Sequence, residues 1–189
     1  NEITDETVRA DRQVQYARRG SVGVEGSVGQ NITFGNSDDL IEAALMGTWT
    51  TDVLKVGTVS RSFSICESLY TETPTHHTYK GCTVNTMDFS ITQDNLIAVT
   101  FGFLGTSEGA FGPTPMATSP IVPTNSVRMY HAEGTIRENG VVVANMSDLS
   151  FQLTNNLNIN RRLGSDAAHS ISEGKCEVTG SFSAWFENA

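Results

Sequence analysis

The stretch from Tyr79 to Gly105, YKGCTVNTMDFSITQDNLIAVTFGFLG, constrains this chain more than any other. Apolar residues alternate with Thr, Ser and Asn on both sides of a short polar break. Period-two alternation sends successive side chains to opposite faces of an extended strand. The stretch therefore predicts two strands joined by a turn at Gln93-Asp94-Asn95. It holds much regular structure, and nothing in it looks catalytic. A sheet of this extent with no chemistry on it implies that the sheet itself is the working part.

The same pattern governs most of the remaining chain. Residues 21–35, SVGVEGSVGQNITFG, read as one or two short strands with glycine breaks. One helix interrupts the strands, in NSDDLIEAALMGTW. There Asp39 is the expected N-cap, Glu42 completes a capping box and Gly47 is a left-handed C-cap. Leu40, Ala43, Ala44 and Leu45 form its apolar face. Only about two turns long, it cannot stand alone and is expected to cover a sheet. Strands are expected over 53–56, 60–66, 127–133, 134–136, 141–144, 149–153 and 174–185, with a turn at Glu138-Asn139-Gly140. Residues 67–80, with Pro74, His76 and His77, read as a polar loop. Residues 105–126 hold four of the five prolines and no regular pattern, as functional or mobile loops do. Residues 157–170 read as a loop with a helical turn.

A weak internal repeat points to a duplicated strand unit. Gly81, Val84 and Met87 match Gly140, Val143 and Met146, and Asp88-Phe89-Ser90-Ile91 matches Asp148-Leu149-Ser150-Phe151. The alternation breaks phase near each Met, which predicts β-bulges. The expected architecture is mainly β: a two-sheet β-sandwich, barrel-like, with one short flanking helix and long loops. Its 189 residues fit an N-terminal arm over 1–20 and a single domain over 21–189.

Charge narrows the partners. The chain has 12 basic and 21 acidic residues, a net charge of −9. Residues 1–20 are balanced, with four of each sign, and read either as a loose terminus or as an arm that orders on a partner. The body carries the whole excess. A nucleic-acid grip needs clustered cations, so this body would repel DNA, or its charge serves solubility. No apolar run approaches the ~20 residues of a membrane helix. No apolar signal core is visible at the N-terminus. Cys66, Cys82 and Cys176 are odd in number and widely spaced, and read as free buried thiols.

The candidate chemical sites are weak. Gly105-Thr106-Ser107-Glu108-Gly109 is a literal G-x-S-x-G, but AFGPTP cannot open the helix that such a nucleophile turn requires. Of the histidines only His131 and His169 follow Ser107, as the order of that triad demands. His76 and His77 are adjacent, so on an extended segment they point apart and share no metal ion. The glycines at 20, 23, 26 and 29 lack the strand-to-helix setting of a phosphate loop. No catalysis, cofactor or metal is expected.

The segments DLIEAALMGTW, Tyr79 to Gly105 and SDLSFQLTNNLN…GKCEVTGSFSAWF resemble the tail tube proteins of long-tailed (siphovirus-like) bacteriophages, over roughly residues 15–189. The resemblance implies a virion protein, made in the bacterial host cytoplasm. Its hexameric rings stack into a tube whose inner sheets line an acidic lumen, through which genome DNA passes without specific binding. It also implies tail tip, tape measure and terminator proteins as partners, and no membrane. On that reading Arg9, Arg12, Arg18 and Arg19 of the arm, and Phe111, Pro113 and Pro115 of the long loop, are expected between subunits. Asp88, Glu133 and Asp148 are expected to face the lumen. Related secretion-system and prophage tubes fit the same pattern. A carbohydrate-binding or adhesion sandwich is the alternative, although aromatics are few in its loops.

Overall fold

The computed structural model describes residues 2–3, 18–117, 119, 121, 127–133, 137–142 and 146–185. The elements are β1 (Glu2–Ile3), β2 (Arg18–Arg19), β3 (Val24–Asn31), α1 (Asp38–Leu45), β4 (Phe63–Leu69), β5 (Thr75–Thr92) and β6 (Ala98–Gly105). There follow β7 (Ser107–Glu108), a 3-10 turn (His131–Glu133), β8 (Arg137–Glu138), β9 (Val141–Val142), β10 (Met146–Thr154), β11 (Asn158–Asn160), β12 (Ser170–Ser172) and β13 (Glu177–Ala184). The fold is mainly β with one helix, β-sandwich-like, and its sheets do not close into a barrel.

The main sheet has the order β13-β10-β5-β6-β3, antiparallel throughout. The predicted hairpin is β5–β6, and it turns where expected, with Asp94 in the left-handed region and Asn95 N–H donating to Thr92 O at 3.2 Å. The 18-residue β5 serves two layers. Its first part lies between β4 and β7, and its second between β6 and β10. The change falls at Gly81, where φ is +62° and an added Cβ would meet Thr106 Oγ1 at 2.4 Å. Only glycine suits both conditions.

The second pieces of the repeat, Asp88–Ile91 and Asp148–Phe151, lie on β5 and β10, which pair with Phe89 opposite Phe151 and Asp88 opposite Gln152, while Gly140 lies in the β8–β9 turn and Val143 lies outside the described residues. The register slips beside Met146 on β10 and at Asn85, two residues before Met87, on β5. These are the bulges the broken alternation predicts.

Between the layers, Val84, Met87, Val99, Phe101, Phe103 and Leu153 are buried together with Ala43 and Ala44 of α1. Phe63 of β4 meets Phe103 edge-on at 6.4 Å, so both layers share this core. Burying a side chain such as Phe101, at 0% exposure, stabilises by roughly 1.5–3 kcal/mol. Asn155 ties α1 to the sheet, its Nδ2 donating to Ala44 O at 2.9 Å and Val84 O at 3.1 Å.

Several local expectations are corrected. The helix begins at Asp38, which leaves Asp39 inside its first turn, where the dipole favours an acid, and not at the cap. Ser37 is the N-cap residue, but its hydroxyl accepts from Gln30 Nε2 at 3.1 Å instead of capping. Glu42 then falls two residues past the N3 position that a capping box requires. It accepts from Trp49 N–H at 3.0 Å and pairs with Arg61 at 3.1 Å. The left-handed cap is Met46, at φ 50°. Gly47 is required for a different reason, since a Cβ there would lie 2.1 Å from Lys55 O.

No strand forms over 53–56, because the returning chain bonds to the helix end. Gly57 N–H donates to Leu45 O and Val59 N–H to Met46 O. Residues 75–80 of the expected loop are strand, with His76 and His77 both buried. Residues 128 and 130 form only isolated bridges, to Thr33 and Leu96, before the 3-10 turn. Residues 158–160 and 170–172 pair as strands, with no helical turn. The strand expected over 134–136 lies outside the described residues, as does most of the 1–20 arm.

Candidate functional surface

The two faces of the main sheet differ in chemistry. One carries the core residues above. The other follows from the same registers by alternation. On β3 it holds Glu25, Ser27, Gly29 and Asn31, and on β6 Ala98, Thr100, Gly102 and Leu104. On β5 it holds Thr86, Asp88, Ser90 and Thr92. On β10 it holds Asp148, Ser150, Gln152 and Thr154, and on β13 Glu177, Thr179, Ser181 and Ser183.

Small hydroxyl and amide side chains dominate, four acids are spread among them, and no Lys, Arg or His stands at any of these positions. Cross-strand bonds fix the surface. Gln152 Nε2 donates to the Asp88 carboxylate, and the Ser150 and Ser181 hydroxyls are 2.9 Å apart. Ser147 Oγ donates to Asp148 Oδ2 at 2.9 Å. Glu177 pairs at 3.7 Å with Lys175, which precedes β13. Glycine at 29 and 102 keeps the face low. A Cβ at Gly102 would meet Thr86 Oγ1 at 2.4 Å. A shallow, open groove of about 500 Å³ crosses the surface between Thr100 and Thr179.

Such a face is smooth and net negative: its strand positions offer a polyanion no cation with which to pair or release counterions, and Lys175, just before β13, is engaged by Glu177. Asp88 and Asp148, expected as lumen residues, both lie on it. Glu133 lies in the 3-10 turn, off the sheet. Glu25 and Glu177 were missed. Their signal was available in the alternation of their own strands, but the frame of that alternation needed the register.

A second cluster joins the chain start to the long loop. His77, 7% exposed, stacks on Phe111 with ring centroids 4.1 Å apart and tilts against Tyr79 at 4.5 Å. Glu108 stands 3.7 Å from His77 Nε2 and pairs with Arg19. Val22 N–H donates to Asp166 O at 2.8 Å, and His76 exchanges backbone bonds with Gly112. Of the residues expected between subunits, Arg19 and Phe111 therefore meet in one cluster. Pro113 and Pro115 are exposed beyond it. Arg9, Arg12 and the Arg18 side chain lie outside the described residues.

Ser107 sits in β7, paired with Lys80, and residues 109–117 after it are not helical. His76 Nδ1 bonds the Ser68 hydroxyl at 2.8 Å. Among the described residues no three His, Cys, Asp or Glu are placed to hold a metal ion, and no helix is long and apolar enough to cross a membrane. The three cysteines are free as expected, but Cys82 alone of them is buried, and Cys66 and Cys176 are half-buried. Burial raises the Cys82 thiol above its ordinary pKa.

No curated protein matches the chain. The phage tail tube protein family matches residues 1–189, its full length, and the chain belongs to that family.

Proposed function

We propose that the cation-free face of the main sheet lines the lumen of a tube built from stacked hexameric rings of this chain, and that phage DNA leaves the capsid along it. As a tail tube protein the chain is a structural component of the virion tail that assembles with copies of itself and with other tail proteins. The observation that carries the lumen assignment is the contrast between faces. Four acids and a carpet of Ser, Thr and Gly occupy one side of five strands, with no basic residue at any of those strand positions. Fixed negative charge keeps a polyanion off the wall, and short hydroxyl side chains leave few protrusions to catch it. Siphovirus-like tails fit this role, with tail tip, tape measure and terminator proteins at the tube's ends and core. The exposed Phe111, Pro113 and Pro115 are suited to contacts between rings.

Negative-stain electron microscopy of the purified protein at low and high concentration tests the reading. Rings or hollow filaments are the expected result. Particles that remain solid or monomeric in the presence of the tail initiator proteins would remove it.

A further inference from the structure

The turn from β8 to β9 belongs neither to the cation-free face nor to the His77 cluster. Glu138 pairs with Val141, so the turn is Asn139-Gly140 alone, with φ of 48° and 84°. Asn-Gly with both residues left-handed is the two-residue turn that matches strand twist. Both residues are exposed, and a Cβ built on Gly140 would meet nothing within 4 Å. Among the described residues, neither the Asn139 amide nor the Gly140 N–H has a hydrogen-bond partner. Two other asparagines show the contrast. Asn156 also has a φ of 48°, but its Nδ2 donates to Lys175 O at 2.8 Å and Leu157 follows it. Asn36 Nδ2 donates to Thr33 Oγ1 at 2.8 Å.

We propose that Asn139 is a self-modification site, at which the chain converts its own asparagine to aspartate and isoaspartate. The Gly140 nitrogen loses its proton to hydroxide and attacks Cγ of Asn139. A succinimide ring closes between the two residues, the bond from Cγ to the side-chain nitrogen breaks, and that nitrogen leaves as ammonia with a proton from water. Water then opens the ring. Cleavage of the new bond from Cγ to the Gly140 nitrogen leaves aspartate. Cleavage of the original peptide bond instead routes the backbone through the side chain, as isoaspartate. Water is the only co-reactant. The attack needs Asn139 to rotate, so the turn must open. Strands β8 and β9 have two residues each, and so short a pairing is marginal in water and opens at small cost. With no Cβ, Gly140 neither crowds the attacking nitrogen nor restricts the rotation. Either product adds a negative charge at the turn. Isoaspartate also inserts a methylene into the backbone, which the Glu138–Val141 pairing cannot absorb.

Peptide mapping of the purified full chain tests this. The chain is held at neutral and at mildly alkaline pH, with circular dichroism to verify that it stays folded and electron-transfer fragmentation to tell isoaspartate from aspartate. Asn139 should react ahead of Asn36 and Asn156, and faster as pH rises. Its rate in the folded chain should lie within about tenfold of its rate in urea, because the turn opens locally without global unfolding. A greater slowing in the folded chain overturns the proposal, since the turn then locks the amide. An Asn139 that stays intact, or that reacts after Asn36 or Asn156, overturns it as well. In Asn139→Gln the longer side chain closes its ring far more slowly, so the acidic shift on isoelectric focusing should disappear. A shift that persists in that variant places the reaction elsewhere and also overturns the assignment.

Discussion

Asn155 holds α1 to the sheet by one side-chain amide with two carbonyl acceptors, in a site 3% exposed. Removing that donor strands buried acceptors, so Asn155→Ala should lose about 1–3 kcal/mol in urea unfolding. Ser90→Ala, on the solvated face, should fall within about 0.5 kcal/mol of the parent. Glycines divide in the same way by surroundings. Gly47→Ala drives a methyl into the 55–57 backbone and should cost about 1–3 kcal/mol. Gly26→Ala meets nothing within 4 Å and should be neutral or slightly stabilising. The comparison separates a glycine kept for close approach from one in open space, and the close approach at Gly47 is not a capping role, since Met46 already holds the cap.

At the level of elements, Tyr79 joins the second layer, its hydroxyl donating to Glu67 Oε2 at 3.2 Å across β4–β5. Burial, and then the Glu67 carboxylate, raise the phenol above its ordinary pKa of 10.0. A raised phenol keeps its proton in the folded state after the unfolded chain has lost it. Stability should therefore hold below pH 10 and fall as pH rises from there through the folded value. Protection of the β4 amides, taken relative to the intrinsic base-catalysed exchange rate at each pH, should fall over that interval, and Tyr79→Phe should lessen the fall. Sequence made the β5–β6 hairpin legible because apolar and polar residues alternate there, and the bulges legible because that alternation breaks phase near each Met. It hid residues 75–80, where His76 and His77 are buried by a hydroxyl bond and a ring stack that polarity alone does not reveal. It misplaced the N-cap because Ser37 holds that position with its hydroxyl turned to Gln30 instead of the helix end, and the C-cap because Met46 takes the left-handed conformation one residue before Gly47. Two of the three proposed lumen acids fell on one sheet face. The face itself could be read only once five registers were fixed together.

For the whole molecule, the two surfaces make separable demands. If the cation-free face is a DNA path, Asp88→Lys with Asp148→Lys should leave tubes intact in electron microscopy while short duplex DNA is retained by them, and retention should weaken steeply as salt rises. Tubes that still exclude DNA would sink the lumen assignment without touching assembly. The chain start makes the other demand. Residues 1–20 balance their charges, Glu2–Ile3 pairs with Arg18–Arg19, and Arg19 pairs with Glu108 beside the His77–Phe111 stack. None of these contacts reaches the core of the main sheet, so a chain lacking residues 1–20 should keep its cooperative melt and its β-type circular dichroism. On the proposal that the segment docks on a neighbouring copy, the same chain should fail to polymerise at concentrations where the parent forms tubes. Arg19→Ala alone should give an intermediate result, because it removes one ion pair and leaves the stack in place. Tubes of normal length from the truncated chain would show that rings stack through the body alone. The exposed Phe111, Pro113 and Pro115 would then carry the contact, and Phe111→Ser would become the discriminating variant.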